Sequence, residues 1–185
     1  MSGRFIVLLA GKSGSGKSTV AEILAKKYGM RCASSYTTRK PRFEGEPGHI
    51  FVTDEEFDRI DPGEMVAYTE FAGYRYCATI DQINDADLYI IDKTGINEFF
   101  ERYDGPKDVL VVYLDASEKA LIERMRERGD SEGKIKERIA HDRVAFEGLE
   151  CDLEIETDRF PAAVVAELII AELTVKEEEN KICQH

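Results

Sequence analysis

An α/β fold built on a parallel sheet with helices on both faces is what this 185-residue sequence predicts, and three observations carry the prediction. Short apolar runs of strand length alternate with longer segments of helical period, the pattern of strand–helix–strand units. The first apolar run leads directly into "GKSGSGKS", Gly11 to Ser18, a loop whose chemistry requires a strand before it and a helix after it. One interval, about residues 35–82, breaks the alternation and reads as a compact insertion into a single domain.

Each element follows from its residues. "RFIVLLA" (Arg4–Ala10) is a continuous apolar run, which reads as a strand buried on both faces, and Gly16–Lys27 as the helix after it. Within the insertion, Thr53–Glu56 has the spacing of a capping box, so one short helix is expected there. "MVAYTEFAGYRYCATI" reads as a hairpin with Gly73 near its turn. The alternation then resumes with "LYIID" (Leu88–Asp92), a helix near Thr94–Tyr103 and "DVLVVYLD" (Asp108–Asp115). Ser117 is the expected N-cap and Gly129 the expected stop of a helix over Ser117–Arg128. A helix over Glu132–Glu147, a weaker strand "CDLEIET" (Cys151–Thr157) and a helix over Pro161–Leu173 complete the pattern. Residues 176–185, acidic and without a clear period, read as a flexible tail.

Composition bounds the function. With 43% apolar residues a chain of this length can bury a core without staples. Asp and Glu outnumber Lys and Arg by 37 to 25, a net charge of −12, which argues against nucleic acid or an anionic membrane surface as the main partner. Cys32, Cys77, Cys151 and Cys183 form no C-x-x-C pair, so reduced thiols in a cytoplasmic protein are expected, with no zinc site. The longest apolar run near the start is too short to span a bilayer.

The loop carries the chemistry. Gly11 to Ser18 fits G-x-x-x-x-G-K-[ST], in which glycines let backbone N–H groups close around phosphate oxygens and the following helix adds its positive end. Gly11, Ser13, Gly14 and Ser15 are thereby assigned to the phosphates of ATP, with Gly16, Lys17, Ser18 and Thr19 completing the set. Lys17 would reach the β- and γ-phosphates and the Ser18 hydroxyl would help hold Mg²⁺. A second cluster, Arg39, Lys40 and Arg42, needs an anion of its own in so acidic a chain.

"GKSGSGKST" followed by "SYTTRKPR", "FAGYRY", "IIDKTG" and "LIERMRERG…IKERI", in that order, resembles the guanylate kinases from about Phe5 to Asp158. The resemblance implies a P-loop NTPase three-layer sandwich with an acceptor-binding insertion and a helical lid. The core would be residues 1–34 and 83–175, the insertion 35–82, and the lid would lie within about 124–147. By position, Ser35, Arg39, Arg42, Tyr76 and Asp92 match residues that hold the acceptor, while Arg124, Arg128 and Arg138 match lid arginines that neutralise phosphate. With Lys17, Arg39 and these three are the implied catalytic cations. The implied reaction is transfer of the γ-phosphoryl group of MgATP to GMP.

The sequence departs from the family where guanine is read. Guanylate kinases place a glutamate nine residues before the tyrosine matching Tyr76; here that position is Ala67, and Ala78 stands where Ser or Thr is usual. The segment after Arg42 is shortened, leaving His49 in place of a phosphate-binding tyrosine, and Thr157 replaces an Asn near adenine. Ribose 1,5-bisphosphate phosphokinases also lack the base-reading glutamate, so a base-free sugar phosphate stays open as the acceptor. A non-catalytic module that binds a phosphorylated peptide through Arg39 and Arg42 is the third reading, and the complete loop with Lys17 and Ser18 opposes it.

Overall fold

The computed structural model describes residues 4–71 and 73–182; Cys183 and His185 lie outside the described residues, as do residues 1–3 and 72. The chain opens with β1 (Phe5–Gly11), the phosphate-loop motif and α1 (Lys17–Tyr28). Next come β2 (Ser35–Thr37), β3 (His49–Phe51), α2 (Asp54–Phe57), β4 (Met65–Phe71), β5 (Tyr74–Thr79) and α3 (Ile80–Asn84). The remainder runs β6 (Leu88–Ile90), α4 (Lys93–Arg102), β7 (Asp108–Asp115), α5 (Glu118–Glu127), α6 (Glu132–Ala145), β8 (Leu153–Glu156) and α7 (Ala162–Ile182).

The first sheet has the order β6-β1-β7-β8 and every pairing in it is parallel, as the alternation of elements predicts. All seven residues of β1 are buried, which explains why it reads as an unbroken apolar run. Its side chains feed two separate cores. Ile6, Leu8 and Ala10 join Tyr89, Val111, Ile83, Ile96 and Phe99 on one face, beneath α3 and α4. Val7 and Leu9 join Leu110, Val112, Val20, Leu24, Val165 and Ile169 on the other, beneath α1 and α7. The period-2 alternation of the strand thus produces helix, sheet and helix layers.

The interval that interrupts the pattern folds as a second, mixed sheet of order β3-β2-β5-β4, in which β2 and β3 are parallel and the other pairs antiparallel. The capping box at Thr53–Glu56 is present: Thr53 Oγ1 accepts from the Glu56 N–H at 3.2 Å, and Glu56 accepts from the Thr53 N–H at 2.8 Å. Ser117 caps α5, accepting from the Ala120 N–H at 3.4 Å.

Two features differ from the sequence reading. The insertion contains a second short helix, α3, because Thr79 and Gln82 form another capping pair whose Gln82 amide also donates to Ser34 O at 2.8 Å. The last helix continues to Ile182, well past the expected end at Leu173. Its apolar period stops where its buried face stops, but Lys and Glu are good helix formers, and Asn180 Nδ2 ties the end to Asp108 Oδ2 at 2.9 Å.

Candidate functional site

The loop is shaped by close approaches. A Cβ at Gly11 would lie 2.4 Å from Leu114 O on β7, and one at Gly14 would lie 2.9 Å from Leu121 O on α5. Glycine is therefore needed to seat the loop between β7 and α5. Lys17, half-buried at the start of α1, turns its ammonium back onto the loop and donates to Gly11 O at 2.6 Å and Lys12 O at 2.9 Å. Burial lowers its pKa to about 8; Arg128 and Arg138 push it the same way, and Asp142 and Asp92 oppose them. Ser15 Oγ is buried in the loop without a hydrogen-bond partner among the described residues, and Ser18 is exposed at the helix start. A polyanion with acceptor oxygens suits both the orphaned hydroxyl and the desolvated ammonium.

Ser35 and Tyr76 lie on one face of the insertion sheet. Pairing places Ser35 opposite His49, Thr37 opposite Tyr76, Tyr76 opposite Thr69, and Ala78 opposite Ala67. Residues two apart on a strand share a face, so Ser35, His49, Tyr76 and Thr69 look the same way as Ala67 and Ala78. Ser35 Oγ and His49 Nδ1 share a hydrogen bond of 2.9 Å. Burial lowers the His49 pKa, with Arg39 and Arg42 adding to the effect. Asp92 sits between the sheets: it caps α4, accepting from the Gly95 N–H at 2.7 Å, and accepts from Thr69 Oγ1 at 3.2 Å.

Arg39 and Arg42 converge on a carboxylate that the sequence reading did not single out. Arg39 holds Glu46 with both terminal nitrogens, at 2.9 and 3.1 Å, and the Arg42 backbone N–H donates to the same carboxylate at 2.6 Å. Burial of Glu46 works to raise its pKa, but these donors outweigh it and hold the group below the usual glutamate range. The Arg39 guanidinium also lies 5.3 Å from the centre of the Phe51 ring.

The three arginines that the family pattern singles out, Arg124, Arg128 and Arg138, go to different places. Arg138 donates to Ser13 Oγ at 3.3 Å, over the loop. Arg128 pairs with Asp130. Arg124 turns toward the end of β8, donating to Thr157 Oγ1 at 2.9 Å, Thr157 O at 2.8 Å and Gly14 O at 3.3 Å. A buried carboxylate joins them: Asp142 Oδ2 on α6 accepts from the Ser13 N–H at 2.6 Å. Burial lowers the Arg42 pKa, and Arg39, Arg138 and Arg128 each lower it further, so cations of the insertion and of the α5–α6 region feel one another.

A family model described as an AAA domain matches residues 7–159. A guanylate kinase of a Nostoc species is 32% identical over 179 residues, 90% of this chain and 88% of that protein. The chain belongs to the guanylate kinase family. A second member, from Fusobacterium nucleatum, is 30% identical over 72% of this chain and 77% of its own length. The crystal structure of guanylate kinase from Anaplasma phagocytophilum shares the fold, with a TM-score of 0.62 and 23% identity over 94% of this chain and 86% of that one.

Two of the positions where this chain departs from the guanylate kinase pattern fall together in space, while Thr157 lies apart from them beside the phosphate loop. Ala67 and Ala78 are a cross-strand pair, both buried, in the same core as Tyr89 and Ile91. Glu70, the nearest carboxylate along β4, accepts a hydrogen bond from the Tyr68 hydroxyl on the opposite face of the strand. Sequence reasoning missed Glu46 because Arg39 and Arg42, seven and four residues before it, read as ligands for an outside anion, and it missed Asp142 because the loop residue it meets lies far away along the chain. The one available signal was that Asp142 stands four residues after Arg138, on the same helical face.

Proposed function

We propose that this chain transfers the γ-phosphoryl group of MgATP to a phosphate-bearing small acceptor, with GMP the acceptor that family membership puts first. The supporting observation is the electrostatic convergence of two cation sets on elements far apart in sequence. Arg138 reaches the loop at Ser13 Oγ, 3.3 Å away, and Arg128 and Arg138 act electrostatically both on Arg42 of the insertion and on Lys17 of the loop. On this reading residues 35–82 bind the acceptor, about 124–147 form the lid, and residues 1–34 and 83–175 make the core.

Loop N–H groups, Ser15 and Lys17 would hold the donor's phosphates, and Arg39 and Arg42 the acceptor's phosphate, with Ser35, Tyr76 and Asp92 flanking it. An oxygen of the acceptor phosphate forms the new bond to the γ-phosphorus as the β–γ bridge breaks and ADP leaves with the bridging oxygen. Arg128 and Arg138 would neutralise charge spreading over the transferred group, and the lid would exclude water. Arg124, engaged with Thr157 and Gly14, would brace the loop. Mg²⁺, held with help from Ser18, would supply Lewis-acid neutralisation of the phosphate oxygens.

A sugar phosphate is the second reading, and the buried Ala67–Ala78 pair favours it. Neither side chain can hydrogen-bond a base edge, and a site lacking such partners loses the discrimination they give. The test is a MgATP phosphotransfer panel with GMP, dGMP, AMP, ribose 1,5-bisphosphate and no acceptor, reading ADP and phosphorylated product. One phosphorylated acceptor is expected, and Lys17→Ala should reduce its formation roughly a hundredfold or more. No product with any acceptor, or full activity in a folded Lys17→Ala variant, would overturn the reading. Product from ribose 1,5-bisphosphate but not GMP would select the second.

A further inference from the structure

Asp142 has the surroundings of a phosphate oxygen. Its carboxylate is buried on α6, one turn beyond Arg138, with Oδ2 accepting the Ser13 N–H at 2.6 Å. It acts on the Lys17 ammonium in the same electrostatic cluster as Arg128 and Arg138. Arg138 in turn donates to the Ser13 hydroxyl, so α6 grips one loop residue by both its side chain and its backbone. The other Asp142 oxygen, Oδ1, lies 3.2 Å from His141 Nδ1. Loop N–H, lysine and arginines are the groups that a phosphate nest offers an anion.

The place along the nucleotide follows from the loop. N–H groups near the helix start cradle the α- and β-phosphates, and the lysine reaches the β- and γ-phosphates. Ser13 lies four residues before Lys17, away from the helix start, so its N–H serves the far end of the phosphate chain. A carboxylate on that N–H, with an electrostatic pull on the Lys17 ammonium, stands where the terminal phosphate of a triphosphate would carry its charge. Two anions cannot share those donors without strong repulsion.

We propose that Asp142 is a donor-site specificity residue: an internal anion that holds α6 against the loop and must yield to the γ-phosphate. This inference rests on the nucleotide-binding reading above and adds a consequence that reading lacks. A triphosphate has to displace Asp142, whereas a diphosphate leaves the Asp142–Ser13 contact in place. Asp142 therefore narrows the preference of the loop for ATP over ADP. It also couples lid position to the number of phosphates bound, since releasing Ser13 frees one of the two bonds by which α6 grips it.

The test compares the full chain with Asp142→Ala and Asp142→Asn, titrating each with the Mg²⁺ complex of a non-hydrolysable ATP analogue and with MgADP. Melting curves taken first establish folding; Asp142→Asn keeps the shape and one acceptor oxygen, so it carries the test if the alanine variant fails to fold. The expected result is roughly tenfold tighter binding of the analogue in Asp142→Ala, with the ADP constant moving by less than about twofold and Asp142→Asn lying between. Equal shifts for the two nucleotides, or weaker analogue binding in a folded Asp142→Asn variant, would overturn the proposal and leave Asp142 a structural pin. Failure of the wild-type chain to bind either nucleotide would overturn the proposed function, and this inference with it.

Discussion

Asp92 carries two hydrogen bonds with different consequences. The bond from the Gly95 N–H caps α4, and the bond from Thr69 Oγ1 ties that cap to the insertion sheet. Asn and Asp cap helices about equally well, whereas Ala loses about 1 kcal/mol. Asp92→Ala should therefore lower stability by about 1 kcal/mol, and Asp92→Asn should leave the denaturation midpoint nearly unchanged. If Asp92 also touches the acceptor, Asp92→Asn will raise the KM for acceptor roughly tenfold and leave the KM for ATP alone. An unchanged acceptor KM would reduce Asp92 to a cap. Residues of this kind were legible in the sequence because their signals are local: a strand-end carboxylate, a glycine-rich loop, arginines in a fixed order. Glu46 was not, since the nearby arginines that hold it read as cations awaiting an outside anion, and Asp142 was not, since it gains its meaning from a partner that folding brings to it. For Asp142 that partner, Ser13, lies 129 positions away.

At the scale of elements, one hydroxyl and the Arg124 guanidinium join the phosphate loop, α5 and β8. Thr157 is buried; its Oγ1 lies 3.0 Å from Ser15 O and 3.1 Å from Asp115 O as donor, and it accepts from Arg124 at 2.9 Å. Thr157→Val keeps the volume and removes the hydroxyl, leaving Ser15 O and an Arg124 donor short of a partner, while Asp115 O keeps the Thr157 N–H at 2.8 Å. The expected cost is about 1–3 kcal/mol by denaturant titration, together with weaker nucleotide binding, because the loop loses its anchor to β8. Thr157→Ser should recover most of both. Equal stability in all three proteins would show that the bonds to Thr157 are exchanged for water at no cost. The sequence identified Thr157 as a departure from the family's usual Asn, but its spacing could not show that the side chain points at the loop. The helix that follows β8 makes the complementary point. Its end was misjudged because periodicity reports the buried face, and the last turns of α7 are held by intrinsic propensity and Asn180 instead.

For the whole molecule, the decisive property is a gathering of cations, Lys17, Arg42, Arg128 and Arg138, that act on one another inside a chain of net charge −12. The fold makes that gathering by setting the two sheets and the α5–α6 arginines around one loop, an arrangement that strand–helix alternation implied only in outline. Lys17 bears the consequence. Burial, then Arg128 and Arg138, lower its pKa from 10.5 to about 8. Between those two values the unfolded chain binds more protons at Lys17 than the folded one. The Lys17 contribution therefore makes stability rise with pH through that window, while below about pH 8 the full cost of burying the charge is present. An arriving phosphate chain has the opposite effect on the ammonium and raises its pKa, so nucleotide binding should draw in a proton where Lys17 is partly neutral. Calorimetry at about pH 8 in two buffers of different ionisation enthalpy should detect that uptake, and it should be smaller at about pH 7. Affinity for the Mg²⁺ complex of a non-hydrolysable ATP analogue should correspondingly fall as pH rises above about 8. Affinity that stays flat across the window, with no proton taken up, would mean that the surrounding carboxylates keep Lys17 charged and that Asp142 and Asp92 outweigh its burial.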